Sequence, residues 1–116
     1  MTKKSGEITV CFVNDKKIKE LNLRYLQKNE PTDVLAFDSG DIVVSTDAAI
    51  RNAKIFETER LYELYLYIIH GVLHLSGYDD KTPKLKKKMD KKTKEIFKKC
   101  GSFNADLRRS NADQRR

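Results

Sequence analysis

Two spacings of apolar residues alternate along the chain. Short runs rich in β-branched and aromatic residues, such as EITVCFV over residues 7–13, predict strands because such side chains fit a pleated, half-buried surface. Longer segments repeat apolar residues every three to four positions, which is the period of an amphipathic helix. The predicted elements are strands at residues 7–13, 34–38 and 41–45 and helices at residues 16–27, from Thr46 or Asp47 to about 57, 61–75 and from Pro83 to about 99.

Capping and turn residues mark the boundaries of these elements. The pair Asn14-Asp15 follows the first strand and predicts a helix cap, and Pro31 breaks the chain after the first helix. The pair Ser39-Gly40 separates two short apolar runs, so we expect a hairpin there. The pair Thr82-Pro83 is typical of an N-cap and first helical residue. These signals favour compact elements joined by short turns.

The helix at 61–75 is apolar on nearly every side, which in a globular domain indicates a central buried helix. The other helices carry narrower apolar stripes that predict one buried face each. Three strands and four helices in the order βαββααα indicate an α+β domain, a small mixed sheet packed with helices. The stripes consist of Ile18, Leu21, Leu23, Tyr25 and Leu26 in the first helix, Ala48, Ala49, Ala53 and Phe56 in the second, and Leu85, Met89, Ile96 and Phe97 in the last.

Length and composition bound the domain organisation. The chain has 116 residues, 39% of them hydrophobic and 35% charged, enough for one core. We assign residues 1–101 to a single domain and expect residues 102–116 to form a disordered basic tail. The apolar runs are too short for a membrane span and MTKKSGE does not resemble a secretory signal, so we expect a cytoplasmic protein. Cys11 and Cys100 lie in no CxxC pair; we interpret both as reduced, with Cys11 in the core.

The positive charge is concentrated at one end of the chain. The formal net charge is +7, yet residues 1–80 carry 10 basic and 13 acidic side chains, and residues 81–116 carry 14 basic and 4 acidic. Ten of the nineteen residues from Lys81 to Lys99 are lysines. Such a segment suits a nucleic acid or another polyanion. The commoner meaning of a charge run is a solvated helix face, and that alternative stays open here.

The two histidines of the chain are the strongest candidates for chemistry. His70 and His74 are four residues apart on the central helix, so both imidazoles project from one face, as two ligands of one metal ion must. Gly77 can turn the chain back after the helix, and Asp80 then follows as a third ligand, with Asp79 as its rival. Three protein ligands and an open position describe a catalytic zinc site. The alternative is a pair of satisfied core histidines.

The sequence HGVLHLSGYDD has the spacing of the metzincin peptidase signature, HExxHxxGxxH. Gly71 stands where those peptidases have the glutamate that acts as general base, and Asp80 stands where they have the last histidine. The absent glutamate weakens a peptidase assignment and leaves the metal site intact.

Three ordered segments resemble one family more specifically. HGVLHLSGYDD resembles the HGxLHLxGYDH signature of the YbeY family of bacterial metal-dependent endoribonucleases, LNLRYLQKNEPTDVLAF resembles its LNxxYRxxDxPTDVLSF segment, and GDIVVS resembles its GDI segment. The resemblance runs from about residue 7 to residue 99. It implies one Zn²⁺ per chain and cleavage of single-stranded RNA. The implied role is ribosomal RNA maturation and ribosome quality control, with the ribosome or its small subunit as partner.

Carried over residue by residue, the resemblance places His70, His74 and Asp80 on the family's three zinc ligands. Leu26 occupies the position of the family's arginine and Ala36 that of its serine, two departures at the site. Nearby cations that would contact RNA phosphates are Arg24, Lys28, Lys87, Lys91 and Lys94.

Three hypotheses about function follow from these residues. The first is a zinc-dependent, single-strand-specific endoribonuclease. The second is a catalytically weakened RNA- or ribosome-binding module that keeps its metal for folding, which Leu26 and Ala36 favour. The third is a metallopeptidase, suggested by ligand spacing alone.

Overall fold

The computed structural model describes residues 6–99. The α+β class predicted from the element order is confirmed, and each predicted strand and helix is present with boundaries shifted by a few residues. Within the described part of the chain, no helix is both long and apolar enough to cross a membrane. The elements are β1 (Thr9–Val13), α1 (Asp15–Leu26), β2 (Val34–Ala36), β3 (Asp41–Ser45), α2 (Thr46–Phe56), α3 (Arg60–Leu75) and α4 (Pro83–Lys99).

The three strands form one mixed sheet in the order β1-β3-β2. β1 runs parallel to β3, and β2 runs antiparallel to β3, which confirms the predicted hairpin. Gly40 closes the turn with a φ of 90°, a left-handed conformation that glycine adopts without a Cβ penalty. Because β3 is the central strand, it carries the most buried side chains of the sheet.

Alternate residues of β3 enter two different clusters, as the period of two in a strand requires. Ile42 and Val44 pack with Ala48 and Ala49 of α2 and with Tyr67 of α3. The intervening Val43 packs with Ile18 of α1 and Leu35 of β2. The sheet therefore lies between α1 on one face and α2 with α3 on the other, and α3 is the helix at the centre of the domain.

Helix α4 packs against α3 through a short apolar stripe. The rings of Tyr62 and Phe97 stack with centroids 4.9 Å apart, and Met89 is fully buried. Ile96 is half-buried, and Leu85 is 37% exposed because it lies at the edge of this contact. The predicted stripe is thus confirmed as buried at Met89 and Phe97.

The helix caps follow the predicted signals with one correction. Asn14 caps α1 by accepting a hydrogen bond from the backbone N–H of Lys17, and Thr82 accepts one from Leu85 at the start of α4. The predicted cap of α2 at Thr46 or Asp47 is wrong. Ser45, the last residue of β3, is the N-cap, and its Oγ accepts from the backbone N–H of Ala48 at 3.1 Å. Strand and helix therefore meet without an intervening loop.

The prediction of a buried Cys11 is also wrong, since this residue is exposed. β1 is an edge strand, and α1 packs over Leu35 and Val43 of the neighbouring strands instead of over Cys11. Cys100 and the predicted tail at residues 102–116 lie outside the described residues.

The apolar stripe of α1 is only partly buried. Ile18 is buried and Leu21 is half-buried, whereas Leu23, Tyr25 and Leu26 are each about half exposed, at 48%, 54% and 49%. The sheet that α1 covers is narrow, so it shields one turn of the helix and leaves the carboxyl-terminal turn open to solvent.

A polar network ties the starts of α1 and α2 to the end of β3. One carboxylate oxygen of Asp15 accepts a hydrogen bond from Ser45 Oγ and the other accepts from Arg51, each at 2.8 Å. The backbone N–H of Asp15 in turn donates to Asp47 at 2.9 Å. The hydrogen bond from the Arg51 guanidinium lowers the pKa of Asp15 against the opposing effect of burial. The network stabilises the domain only while Asp15 is ionised.

We expect Asp15→Asn to lower the free energy of unfolding at pH 7 by about 1–2 kcal/mol, since it weakens hydrogen bonds to a charged, partly buried group. A lowered folded-state pKa means that this stabilisation is present above the ordinary value of 3.8 and is lost as the pH falls through the lowered value. Urea unfolding at pH 7 and near pH 2 checks this. The matched control is Glu20→Gln, whose exposed contacts with Lys17 and Arg24 at 3.7 and 3.8 Å contribute little. A difference between wild type and Asp15→Asn that is independent of pH would contradict the prediction.

Candidate metal centre

His70 and His74 lie on one side of α3 near its carboxyl end, as their spacing predicts. Their Nε2 atoms are 3.0 Å apart, and Nε2 of His70 is 3.8 Å from Oδ2 of Asp80. One donor atom from each of the three residues lies within 4.8 Å of the other two. Both imidazoles are half-buried and Asp80 is exposed. The structure thus brings together the three residues that the sequence singles out as ligands.

The turn after α3 decides which aspartate reaches the histidines. Gly77 has a φ of 99°, and the backbone N–H of Tyr78 donates to the carbonyl of Leu73, which closes the helix end. Asp79 accepts a hydrogen bond from the backbone N–H of Lys81 at 3.1 Å and so stabilises the turn locally. Asp80, the next residue, projects toward His70. The geometry favours Asp80 over Asp79 as the third ligand.

The donor set fits a metal ion. Two nitrogens bound to one zinc ion at 2.0–2.1 Å in tetrahedral geometry lie about 3.3 Å apart, close to the 3.0 Å between the imidazole Nε2 atoms. Two imidazoles and a carboxylate are also ligands that zinc takes readily, and a fourth position would stay open to water or substrate. His70, His74 and Asp80 could therefore hold one metal ion on the surface of α3.

Gly71, between the two histidines, allows α3 to pack closely on the sheet. A Cβ atom built at Gly71 would lie 2.8 Å from Cγ2 of Ile42, whose side chain is fully buried. Ordinary side chains at this position would collide with β3. The glutamate that the peptidase signature has at this position would have to displace Ile42, so the packing argues against the metallopeptidase hypothesis.

Hydrogen bonds from α2 hold α3 in place one turn before the histidines. The Tyr67 hydroxyl accepts from Nδ2 of Asn52 at 2.7 Å and lies 3.1 Å from Oε1 of the buried Glu63. Thr58 donates to the other Glu63 oxygen at 2.5 Å. Burial raises the pKa of the Tyr67 phenol, so it stays protonated at neutral pH. These contacts set the rotation of α3 about its axis and hence the direction of both imidazoles.

The three candidate ligands lie in the wall of a groove with a volume of about 840 Å³. Residues of α1, β2, α3 and α4 and of the connecting loops line it, so no single element forms the site. Leu26 and Ala36, the two departures from the resembled family, both line this groove. The volume of the groove is large enough to receive a substrate much larger than water.

The cations predicted to bind RNA divide between the groove and the outer surface. Lys28 and Lys94 line the groove. Lys87 and Lys91 are exposed on α4 and are not among the groove residues, and Arg24 is exposed and lies 3.8 Å from Glu20. The structure therefore places only two of the five predicted cations near the candidate ligands.

Two further lysines of the groove were not identified in the sequence. Lys81 directly follows Asp80 in the chain, and this adjacency to a candidate ligand is visible in the sequence. Lys86 lies on the same face of α4 as Thr93 and Phe97, at helical spacing from the buried stripe. Lys86 is 3.0 Å from Asp90, whereas Lys81 and Lys94 make no ion pair with another described residue.

The chain is similar in sequence to known endoribonucleases. The family model for Endoribonuclease YbeY matches residues 1–101. The chain is 44% identical over 88 residues to Endoribonuclease YbeY of Parabacteroides distasonis, an alignment covering 70% of this chain and 62% of that protein. It is 37% identical over 106 residues to Endoribonuclease YbeY of Elusimicrobium minutum, covering 81% of this chain and 74% of that protein.

A solved structure shares the fold. The solution structure of TM1509 from Thermotoga maritima superposes with a TM-score of 0.57 at 29% sequence identity, covering 91% of this chain and 79% of that one. The alignments with the Parabacteroides distasonis and Phocaeicola vulgatus relatives span 62% and 64% of those proteins. The family-model match over nearly the whole chain, together with the histidine pair on its central helix, shows that the chain belongs to the YbeY family.

Proposed function

We propose that the protein is a metal-dependent endoribonuclease that cleaves single-stranded RNA. The observation that carries this proposal is the position of His70, His74 and Asp80 in the wall of a groove that lysines also line. Metal ligands alone suit many hydrolases, but lysines beside them select a substrate with a phosphate backbone. The names of the relatives support the same reaction.

Each part of the groove has a chemical task in this proposal. A zinc ion held by the three ligands would activate water and polarise a phosphoryl oxygen. Lys28, Lys81 and Lys94 would bind phosphates on either side of the scissile bond and hold the strand in register. Lysine contacts with phosphate carry no sequence information, so we expect little sequence preference.

The cellular setting belongs to the same proposal. We place the activity in the cytoplasm, with ribosomal RNA as substrate and the ribosome or its small subunit as the assembly served. The support is the family membership together with the cationic segment from Lys81 to Lys99.

A second candidate function is an RNA-binding module that keeps the metal without turnover. It is favoured by Leu26 and Ala36, which line the groove and contribute neither charge nor a hydrogen-bond donor from their side chains. The two candidates differ in turnover and agree on metal and RNA binding, so a cleavage assay separates them.

Metal removal tests the proposal directly. The purified chain is expected to cleave a fluorescently labelled single-stranded RNA, to lose this activity in a chelator, and to regain it when zinc or another divalent metal is restored. The matched DNA strand and casein are assayed in parallel. RNA binding without cleavage at any divalent metal would favour the second candidate, and casein hydrolysis without RNA cleavage would favour a peptidase. Cleavage that survives in His74→Ala would identify a contaminating nuclease.

A further inference from the structure

Helix α4 presents a row of lysines on the side facing away from the groove. We name it the outer lysine face. All of its members are exposed, and none of them lines the groove. Their spacings of three, four and seven residues place them on one side of the helix, opposite the buried stripe of Met89, Thr93 and Phe97. The outer lysine face consists of Lys84, Lys87, Lys88, Lys91 and Lys98.

The positive charge of this face is not cancelled by its neighbours. The two acidic residues of α4 pair with lysines outside the face. Asp90 lies 3.0 Å from Lys86, and Glu95, which lies on the same side of α4 as the face, is 3.5 Å from Lys92. Within residues 6–99, the five lysines of the face make no ion pair with another side chain. The face therefore presents five lysine charges against the single carboxylate of Glu95, along a rigid rod about 21 Å long at 1.5 Å of rise per residue.

The arrangement is unfavourable for the helix itself. No acidic residue lies in the first turn of α4, where the helix dipole favours one and disfavours a cation such as Lys84. Lys84 and Lys88, and likewise Lys87 and Lys91, are like charges four residues apart that repel each other. A sequence that breaks local rules in this way is expected where function requires it. A bound polyanion would remove both penalties.

We propose that the outer lysine face binds the phosphate backbone of double-helical RNA, next to the single strand held in the groove. This inference rests on the proposed function and adds a second contact for the same substrate. Single-stranded RNA is bound by stacking on aromatic rings, and the only aromatic residue of α4, Phe97, is 2% exposed. Duplex RNA is recognised through its shape and its phosphates, for which a straight row of cations suffices.

A membrane surface suits this face less well. Helices that lie in the bilayer interface have large apolar side chains opposite their cationic residues. In α4 the side opposite the lysines is buried against α3, and the one exposed large apolar residue of the helix is Leu85. The outer lysine face therefore has the charge to bind a polyanion but little apolar surface that could insert into a bilayer.

Binding of RNA by the full chain in a chelator, where cleavage cannot contribute, tests the proposal. Three probes are compared: a blunt RNA duplex, a single strand of eight nucleotides, and vesicles of phosphatidylserine and phosphatidylcholine. We expect Lys87→Glu/Lys91→Glu to weaken duplex binding at least tenfold. The dependence of log K on log salt concentration should flatten by about two, since each phosphate contact contributes a slope of about 0.9.

The matched control is Lys19→Glu/Lys54→Glu, which changes the net charge equally on exposed lysines of α1 and α2. It should weaken duplex binding less than threefold. Both double variants should fold, because glutamate is a good helix former, and circular dichroism verifies this.

Four outcomes would overturn the proposal. They are unchanged duplex binding, an equal loss in the control variant, an equal loss with the single strand, and a loss confined to the vesicles. Metal-dependent cleavage of the eight-nucleotide strand by the control variant Lys19→Glu/Lys54→Glu should stay within twofold of the wild type. If no variant or wild type cleaves RNA, the proposed nuclease function fails, whereas the duplex-binding comparison still decides the role of the outer lysine face.

Discussion

Replacing Asp80 by alanine is expected to lower the metal affinity of the protein more than 100-fold and to abolish the proposed RNA cleavage. Loss of a partner outside the ligand shell already costs 10- to 100-fold in metal sites, so loss of a ligand should cost at least about 100-fold. Asp80 is exposed and its carboxylate lies 3.8 Å from His70 Nε2, so its removal leaves the core of the domain intact. Metal titration and elemental analysis of the purified variant measure the effect.

The neighbouring aspartate provides the matched control. Asp79→Ala removes the hydrogen bond to the backbone N–H of Lys81, which loosens the turn, and should lower metal affinity by a few-fold at most. Asp80→His should restore binding because zinc accepts imidazole nitrogen as readily as carboxylate oxygen. If Asp79→Ala removes the metal while Asp80→Ala retains it, the third ligand is Asp79 and not Asp80.

Gly71→Ala is expected to destabilise the domain by about 1–3 kcal/mol, the usual effect of overpacking a core. In an exposed helix the same change would stabilise by about 1 kcal/mol, because alanine is the better helix former. Here the added methyl group would lie 2.8 Å from Cγ2 of the fully buried Ile42. Urea unfolding followed by circular dichroism measures the difference. A Gly71→Ala variant more stable than the wild type would contradict the prediction, because it would show that Ile42 and β3 shift to accommodate the methyl group at little cost in free energy.

A double-mutant cycle isolates this contact from other effects of the substitution. Ile42→Ala removes the atom that the new methyl group would meet, at the cost of a cavity. We expect Gly71→Ala to destabilise the Ile42→Ala protein at least about 1 kcal/mol less than it destabilises the wild type. Strict additivity would mean that α3 does not depend on Gly71 for its close approach to β3.

The local features of the fold were readable in the sequence. Asn14 and Thr82 cap the helices predicted for them, and Gly77 ends α3 in the left-handed conformation expected there. The predicted cap of α2, Thr46 or Asp47, lies one or two residues after the true cap, because Ser45 both completes β3 and caps the helix. Capping and turn signals act over three or four residues, which is why the sequence carries them.

The sequence did not show which side chains are covered by neighbouring elements. Cys11 has the residue type and the strand position of a core side chain, yet it is exposed because α1 covers other strands. Lys91 and Lys94 were both predicted to contact RNA, but the packing of α4 against α3 places only Lys94 of these two in the groove. Burial depends on which surfaces meet, and no local pattern records that.

The candidate metal centre depends on both local sequence patterns and tertiary contacts. By itself, the sequence determined that two imidazoles share one face of a central helix and that a turn with two aspartates follows, because helical spacing is a local property. Only the tertiary structure decided that Asp80 approaches His70 while Asp79 bonds to the turn, and that Gly71 lies against Ile42. It also decided which lysines share a groove with these ligands. Such contacts join residues distant in the chain, and they exist only where α3, α4 and the sheet pack together.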